Sequence, residues 1–209
     1  MNSFYQSIVT EKSWKMLQML KKDIDFILIG GWAVYLYTKT LKSKDIDIIV
    51  DYQELDKIKK NFQLIKNDRL RKYEIKKEGI DIDIYLPYFS DLGLPVGKLI
   101  KHQDKNQGFT ILKKEILLFT KLKAYQERGM TIKGVKDKID IISLILLTDF
   151  NFVFWRDFIK KERVGVYNEL IKKILLETKE IPELNLNQHA FAKKKKKLLE
   201  QVRSFQVTR

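Results

Sequence analysis

The sequence predicts a mixed α/β (α+β) fold, a small mixed β-sheet flanked by helices and joined to a helical carboxy-terminal region. Three observations carry this expectation. Short apolar runs alternate with helical periodicities through the first half of the chain. A glycine pair, Gly30-Gly31, closes the first apolar run, where the chain can turn sharply from strand to helix. Beyond about residue 112 the periodicity becomes helical. At 209 residues the chain is longer than one ordinary domain requires. The expected division is an α/β domain over 1–110 and a helical domain with a basic tail over 111–209.

Each element has its own justification. Over 11–21, Trp14, Leu17 and Leu20 recur at helical intervals, with Thr10 as the expected N-cap. Phe26 to Ile29 is continuously apolar and reads as a buried strand. Trp32 to Lys39 allows about two helical turns. Residues 45–50 alternate and then turn apolar, a second strand. Leu55, Ile58, Phe62 and Ile65 mark one face of a helix over 54–66, capped by Asp51 with Glu54 as its capping-box partner. Tyr73–Lys77, the Glu78-Gly79 turn and Ile80–Leu86 predict a β-hairpin. Prolines and glycines from Pro87 to Gly97 mark a loop, and helices are expected over 113–128, ending at Gly129, and over 136–148. The aromatic run from Phe150 to Phe158 suits core or inter-domain packing, and base stacking less well.

Composition narrows the chemistry. With 41 Lys+Arg against 27 Asp+Glu the formal charge is +14, which favours polyanionic partners: nucleic acid, nucleotides or an acidic protein surface. The last eighteen residues alone hold seven basic groups and one acid. Cysteine is absent, so disulfides, thiolate metal sites and cysteine nucleophiles are excluded together. His102 and His189 are too few for a histidine metal site, which leaves carboxylates and hence magnesium, manganese or calcium. No run approaches the roughly 18 apolar residues of a membrane span, and Met1 to Phe4 lacks the opening of a secretory signal. A soluble, cytoplasmic protein is expected.

The strongest candidates for chemistry are Asp45 and Asp47. Side chains at i and i+2 of a strand share a face, so two carboxylates stand side by side and can share divalent metal ions. Repulsion between them raises a pKa unless a cation relieves it. The hairpin offers a second pair, Asp81 and Asp83. Asp-x-Asp alone equally suits the solvent face of a half-buried strand. Order and spacing distinguish this instance: a glycine pair, a short helix, the Asp-x-Asp strand, then another acidic strand about thirty-five residues later. Glycines let backbone N–H groups at a helix start approach a phosphate closely.

This arrangement resembles the nucleotidyltransferase superfamily of DNA polymerase β. Gly30-Gly31-Trp32-Ala33-Val34 followed by Ser43-Lys44-Asp45-Ile46-Asp47 resembles the first motif of AbiEii-type (abortive-infection) nucleotidyltransferases and their minimal archaeal relatives. Lys121-Leu122-Lys123-Ala124, Arg128, Lys136-Asp137 and Asp140-Ile141 resemble that family's helical motif, so the likeness covers about residues 26–148. The resemblance implies a magnesium- or manganese-dependent enzyme that transfers a nucleoside monophosphate from a triphosphate such as ATP to a hydroxyl, releasing pyrophosphate. It implies that Asp45 and Asp47 bind metal, with Asp83 as the third carboxylate and Asp81 the alternative. Gly30 and Gly31, with Ser43 and Lys44 of the same motif, would cradle the triphosphate, and Lys121 would neutralise it. Asp137 and Asp140 would hold the helical motif together by pairing with Lys or Arg. Trp32 replaces a small hydroxyl residue of many relatives, and Leu41 stands where arginine is common.

The positive charge suggests an RNA acceptor, and what the resemblance implies about toxin relatives points to tRNA, with a protein hydroxyl or a small molecule as the alternative acceptors. The Lys193–Lys197 run can grip phosphates or serve as a solvated helix face. Competing expectations are a catalytically inactive nucleotide- or RNA-binding module of the same fold, and a toxin–antitoxin partner protein. Gly93 to Lys98 is one residue short of a phosphate-binding loop and has Leu99 at the hydroxyl position, so it is read as a turn.

Overall fold

A computed structural model describes residues 3–203. The chain divides after Lys113 into two compact units. Among the described residues no helix is long and apolar enough to cross a membrane.

The first unit is a mixed sheet with helices. Helix α1 (Ser3–Asp23) leads into β1 (Ile27–Ile29), α2 (Gly30–Thr38) and β2 (Ile46–Ile49). Helix α3 (Tyr52–Asn61) follows, then β3 (Ile65–Asn67), β4 (Lys72–Lys77) and β5 (Ile80–Tyr85). A short helix α4 (Val96–Leu99) precedes the hairpin β6 (Gln103–Asn106) and β7 (Phe109–Leu112). The seven described strands lie in the order β3-β4-β5-β2-β1-β7-β6. Strand β2 is antiparallel to β1 and parallel to β5, while β1 is parallel to β7, so the sheet is mixed as expected.

Alternation decides which side of this sheet is core. On β5, Ile80, Ile82 and Ile84 are buried while Asp81, Asp83 and Tyr85 between them are half-buried. Ile46 and Ile48 of β2 continue the apolar face, and each such isoleucine contributes about 1.5–3 kcal/mol by leaving water. A slip of one residue in β5 would bury its aspartates, so the pattern fixes the register.

Several boundaries differ from expectation, each for a physical reason. Thr10 lies inside α1, its Oγ1 donating to Ser7 O, and is no cap. Asp51 does cap α3, accepting from Glu54 N at 2.8 Å, but the Glu54 carboxylate accepts from Asp25 N instead of closing the box. Helix α3 stops at Asn61 because Phe62 turns extended, and Ile65 belongs to the edge strand β3. Strands β6 and β7 were not expected from the sequence. The Glu78-Gly79 hairpin turn is present, both residues having positive φ.

The second unit is helical among its described residues: α5 (Lys114–Arg128), α6 (Ile132–Ile145), α7 (Phe152–Lys161), α8 (Val166–Glu177) and α9 (Gln188–Arg203). Gly129 ends α5 in the left-handed region, and Gly134 lets α6 start against it, since a Cβ there would sit 1.9 Å from Gly129 O. The aromatic run forms core: Phe150, Trp155 and Phe158 are buried, and Phe119 meets Phe158 and Tyr167 edge-on. The lysine run lies on α9, whose Phe191, Leu198 and Val202 are buried while Lys193, Lys194, Lys196 and Lys197 are exposed. The tail beyond Arg203 lies outside the described residues.

Candidate active site

The site begins where β1 ends. Gly30 takes φ +64°, and a Cβ there would stand 2.1 Å from Asp47 Oδ2. At Gly31 a Cβ would stand 2.7 Å from Ser43 Oγ. The glycine pair is therefore required by two of the motif's own side chains: any larger residue would displace the Asp47 carboxylate or the Ser43 hydroxyl. Ser43 Oγ also donates to Asp45 O at 2.9 Å, fixing the bend that feeds β2. Both glycines belong to the first turn of α2, so its opening N–H groups lie beside Asp47.

Sheet register brings the acids together. Asp47 on β2 lies opposite Asp83 on β5, and Asp83 lies opposite Glu74 on β4. Paired residues on neighbouring strands share a face, with strands about 4.8 Å apart, so three carboxylates form a row across β4, β5 and β2. Asp81 shares the face but lies opposite Lys76. Asp45 immediately precedes β2 and is close enough for its charge to act on Asp83. Of the two hairpin acids, the register places Asp83 level with Asp47.

A lysine not expected from the sequence completes the row. Lys72 Nζ donates to Asp83 Oδ2 at 2.6 Å and lies 3.2 Å from Glu74 Oε1. Asn67 Nδ2 steadies Glu74 at 2.8 Å. Burial pushes the Asp83 carboxyl above its ordinary range against the opposing pull of Lys72, and the charges of Glu74 and Asp45 push the same way. For Lys72 burial acts downward, but Asp83 and Glu74 outweigh it and raise the ammonium. The two-residue turn fixes Glu74 opposite Asp83, and Lys72 stands two residues before Glu74 on the same face.

The donor set suits a hard divalent cation: it is all oxygen, and it abuts a glycine turn that a Cβ would fill. Among the described residues no three acidic or histidine side chains converge into a ready-made cage. A cavity of about 330 Å³ lies at the opposite ends of β1 and β2, walled by Asp25, Phe26, Ile49, Asp51 and Pro87; it contains none of the motif residues.

The remaining motif residues are placed as follows. Lys44 is exposed beside Asp45. Trp32 is buried, its Nε1 donating to Ser13 Oγ at 2.9 Å and its ring 5.0 Å from Trp14, so it ties α2 to α1. In the second unit Lys121 Nζ stands 3.0 Å from Asp137 Oδ1 and 2.7 Å from Asp140 Oδ2, while Arg128 Nη1 reaches Asp137 Oδ2 at 2.8 Å. Both aspartates are buried. Burial opposes the Lys121 charge, but the two carboxylates prevail and raise its pKa.

The mixed sheet with its helices is a fold that this chain shares with solved structures from Helicobacter pylori. The likeness to particular structures is distant. The chain is similar to a protein from H. pylori named as a candidate nucleotidyltransferase, at 18% identity and TM-score 0.53, covering 98% of this chain and 96% of that one. It is also similar to JHP933 from Helicobacter pylori, at 16% identity and TM-score 0.51, covering 95% and 92%. An antigenic nucleotidyltransferase-like protein from Paracoccidioides brasiliensis matches more loosely, at 17% identity and TM-score 0.40, over 66% of this chain and 75% of that one. No family model matches the sequence, and no curated protein is similar to it.

Proposed function

We propose that the chain is a magnesium- or manganese-dependent nucleotidyltransferase that transfers a nucleoside monophosphate from a triphosphate to a hydroxyl of RNA, releasing pyrophosphate. The observation that carries this reading is the row Asp47–Asp83 in register beside a glycine turn that has no room for a side chain. Asp45 and Asp47 would hold the metal, which when bound polarises the α-phosphate and offsets charge on the leaving oxygen. Gly30 and Gly31 present N–H groups of the α2 start to the phosphates, and Ser43 and Lys44 flank them. Asp83, the third carboxylate, orients the acceptor hydroxyl and takes its proton. Lys121 belongs to the α5–α6 clamp on this reading, since its ammonium is divided between two carboxylates.

Label transfer tests the activity. Each α-labelled triphosphate, with magnesium and total cellular RNA, is incubated with the protein, and labelling of RNA is expected to disappear in Asp45→Ala and Asp47→Ala. One observation favours a second reading, a binding module without catalysis: Lys72 already satisfies Asp83 without a metal. Normal nucleotide binding with no label on RNA, protein or small acceptors would favour that reading.

The RNA acceptor is supported by the exposed lysines of α9. Replacing Lys193, Lys194, Lys196 and Lys197 with Gln is expected to weaken RNA binding roughly tenfold near 0.1 M salt and to flatten its salt dependence. Filter binding across a salt series measures both, and an unchanged slope would remove α9 from the interface.

A further inference from the structure

Lys72 needs an explanation that a metal site alone does not supply. A cation has been built into a row of carboxylates on which a divalent ion is expected to act. Its stem is confined, the side chain being only 12% exposed, and its ammonium has two acceptors. One is Asp83, the third carboxylate of the proposed site. The other is Glu74, two residues away on the same strand and anchored by Asn67. This second partner is the informative feature. A lysine paired with Asp83 alone would be stranded whenever Asp83 turned to another charge, and a buried unpaired ammonium is costly. With Glu74 beside it, Lys72 can release Asp83 and remain neutralised.

We infer that Lys72 is an exchangeable counter-ion that occupies Asp83 in the metal-free protein and yields it, falling back on Glu74, when metal arrives together with nucleotide. The inference rests on the proposed metal site and adds a positioning residue and an order of binding to it. Free metal meets a site whose third carboxylate is already neutralised, so it binds weakly. The metal–triphosphate complex brings phosphate oxygens that complete the shell and phosphate charge that offsets the cations. Lys72 thereby discriminates against unproductive loading by metal alone.

Manganese binding to the full-length protein, read from the electron paramagnetic resonance of the free ion, tests this with no need for turnover. Lys72→Met is expected to tighten binding of Mn²⁺ alone roughly tenfold, the effect of removing one nearby positive charge at protein-surface dielectric. Lys72→Gln, which keeps a hydrogen bond to Glu74, is expected to do the same and serves if the methionine variant fails to fold. Lys72→Arg keeps the charge and is expected to match wild type. Adding Asp83→Asn to Lys72→Met is expected to abolish the gain. If Lys72→Met and Lys72→Gln bind Mn²⁺ no tighter than wild type, while Asp45→Asn and Asp47→Asn lose it, the inference fails and the metal site stands. If wild type takes up no Mn²⁺ even with a triphosphate, both fail.

Discussion

Each unit contains a lysine set between two carboxylates, and the two clusters are built differently. In the helical unit Lys121 bridges Asp137 and Asp140, whose side chains are 2% and 6% exposed, with Arg128 completing the set. In the sheet unit Lys72 bridges Asp83 and Glu74, whose side chains are 19% and 18% exposed, and no arginine joins the described contacts. The carboxylates of the first cluster are sealed and paid their desolvation on folding, while Arg128 reaches them from a half-exposed position. The second keeps its two carboxylates partly exposed on a half-buried sheet face, as the proposed exchange of partners requires. Lysine–carboxylate pairs can thus be locked in place or left exchangeable according to how deeply their carboxylates are buried.

The largest expected effect separates the two by crossing stability with activity. Lys121→Met leaves two buried aspartates facing each other and should cost about 3–5 kcal/mol, measured by denaturant unfolding. Asp47→Ala should leave stability nearly unchanged and remove transfer. A variant pair in which both properties fall together would erase the distinction between clamp and site.

Gly30→Ala comes next. Its residue must adopt φ +64° with a methyl in contact with the Asp47 carboxylate, which should cost about 1–3 kcal/mol and most of the transfer activity. Wild-type labelling by this variant would mean that the glycine turn does not serve the site. Lys72→Met should cost roughly 1–2 kcal/mol, between the ranges for exposed and buried pairs. A loss as large as that of Lys121→Met would make the sheet cluster another clamp.

The smallest effect is in pH. Lys121 is raised above the ordinary lysine range by Asp140 and Asp137, which overcome the opposing effect of burial. The unfolded chain therefore releases this proton first as pH rises. The contribution is complete below the unfolded lysine value of about 10.4 and declines above it as pH climbs toward the folded value. The stability gap between wild type and Lys121→Met should be flat from neutrality to about pH 10 and narrow beyond. A gap that instead widens above pH 10 would show that the clamp does not depend on a charged Lys121.

Much of this arrangement is legible from sequence because β-structure is arithmetic. Alternation in Ile80–Tyr85 and the Glu78-Gly79 turn were enough to find the hairpin. The i, i+2 spacing was enough to put Asp81 with Asp83 on β5, whereas Asp45, expected on the strand of Asp47, lies in the bend before β2. The choice of Asp83 as level with Asp47 required the β2–β5 register, a non-local pairing no local pattern encodes. Edge strands were hardest. Lys66 of β3 and Gln103 to Lys105 of β6 are exposed and polar, so they carry no apolar signature, and Ile65 happened to continue the helical spacing of α3. Thr10 misled because a threonine before an apolar periodicity suits a cap equally well as a helix interior. Lys72 carries no comparable signal: the hairpin register sets Glu74 against Asp83, and Lys72, two residues before Glu74 on the same face, reaches Asp83 only on the diagonal.

The most direct test of the central claim is the anomalous density of manganese in crystals grown with a non-hydrolysable triphosphate analogue. The account predicts a peak against the carboxylates of Asp45 and Asp47, with the triphosphate along the Gly30-Gly31 turn. Triphosphate bound elsewhere, or a manganese peak away from both aspartates, would contradict it.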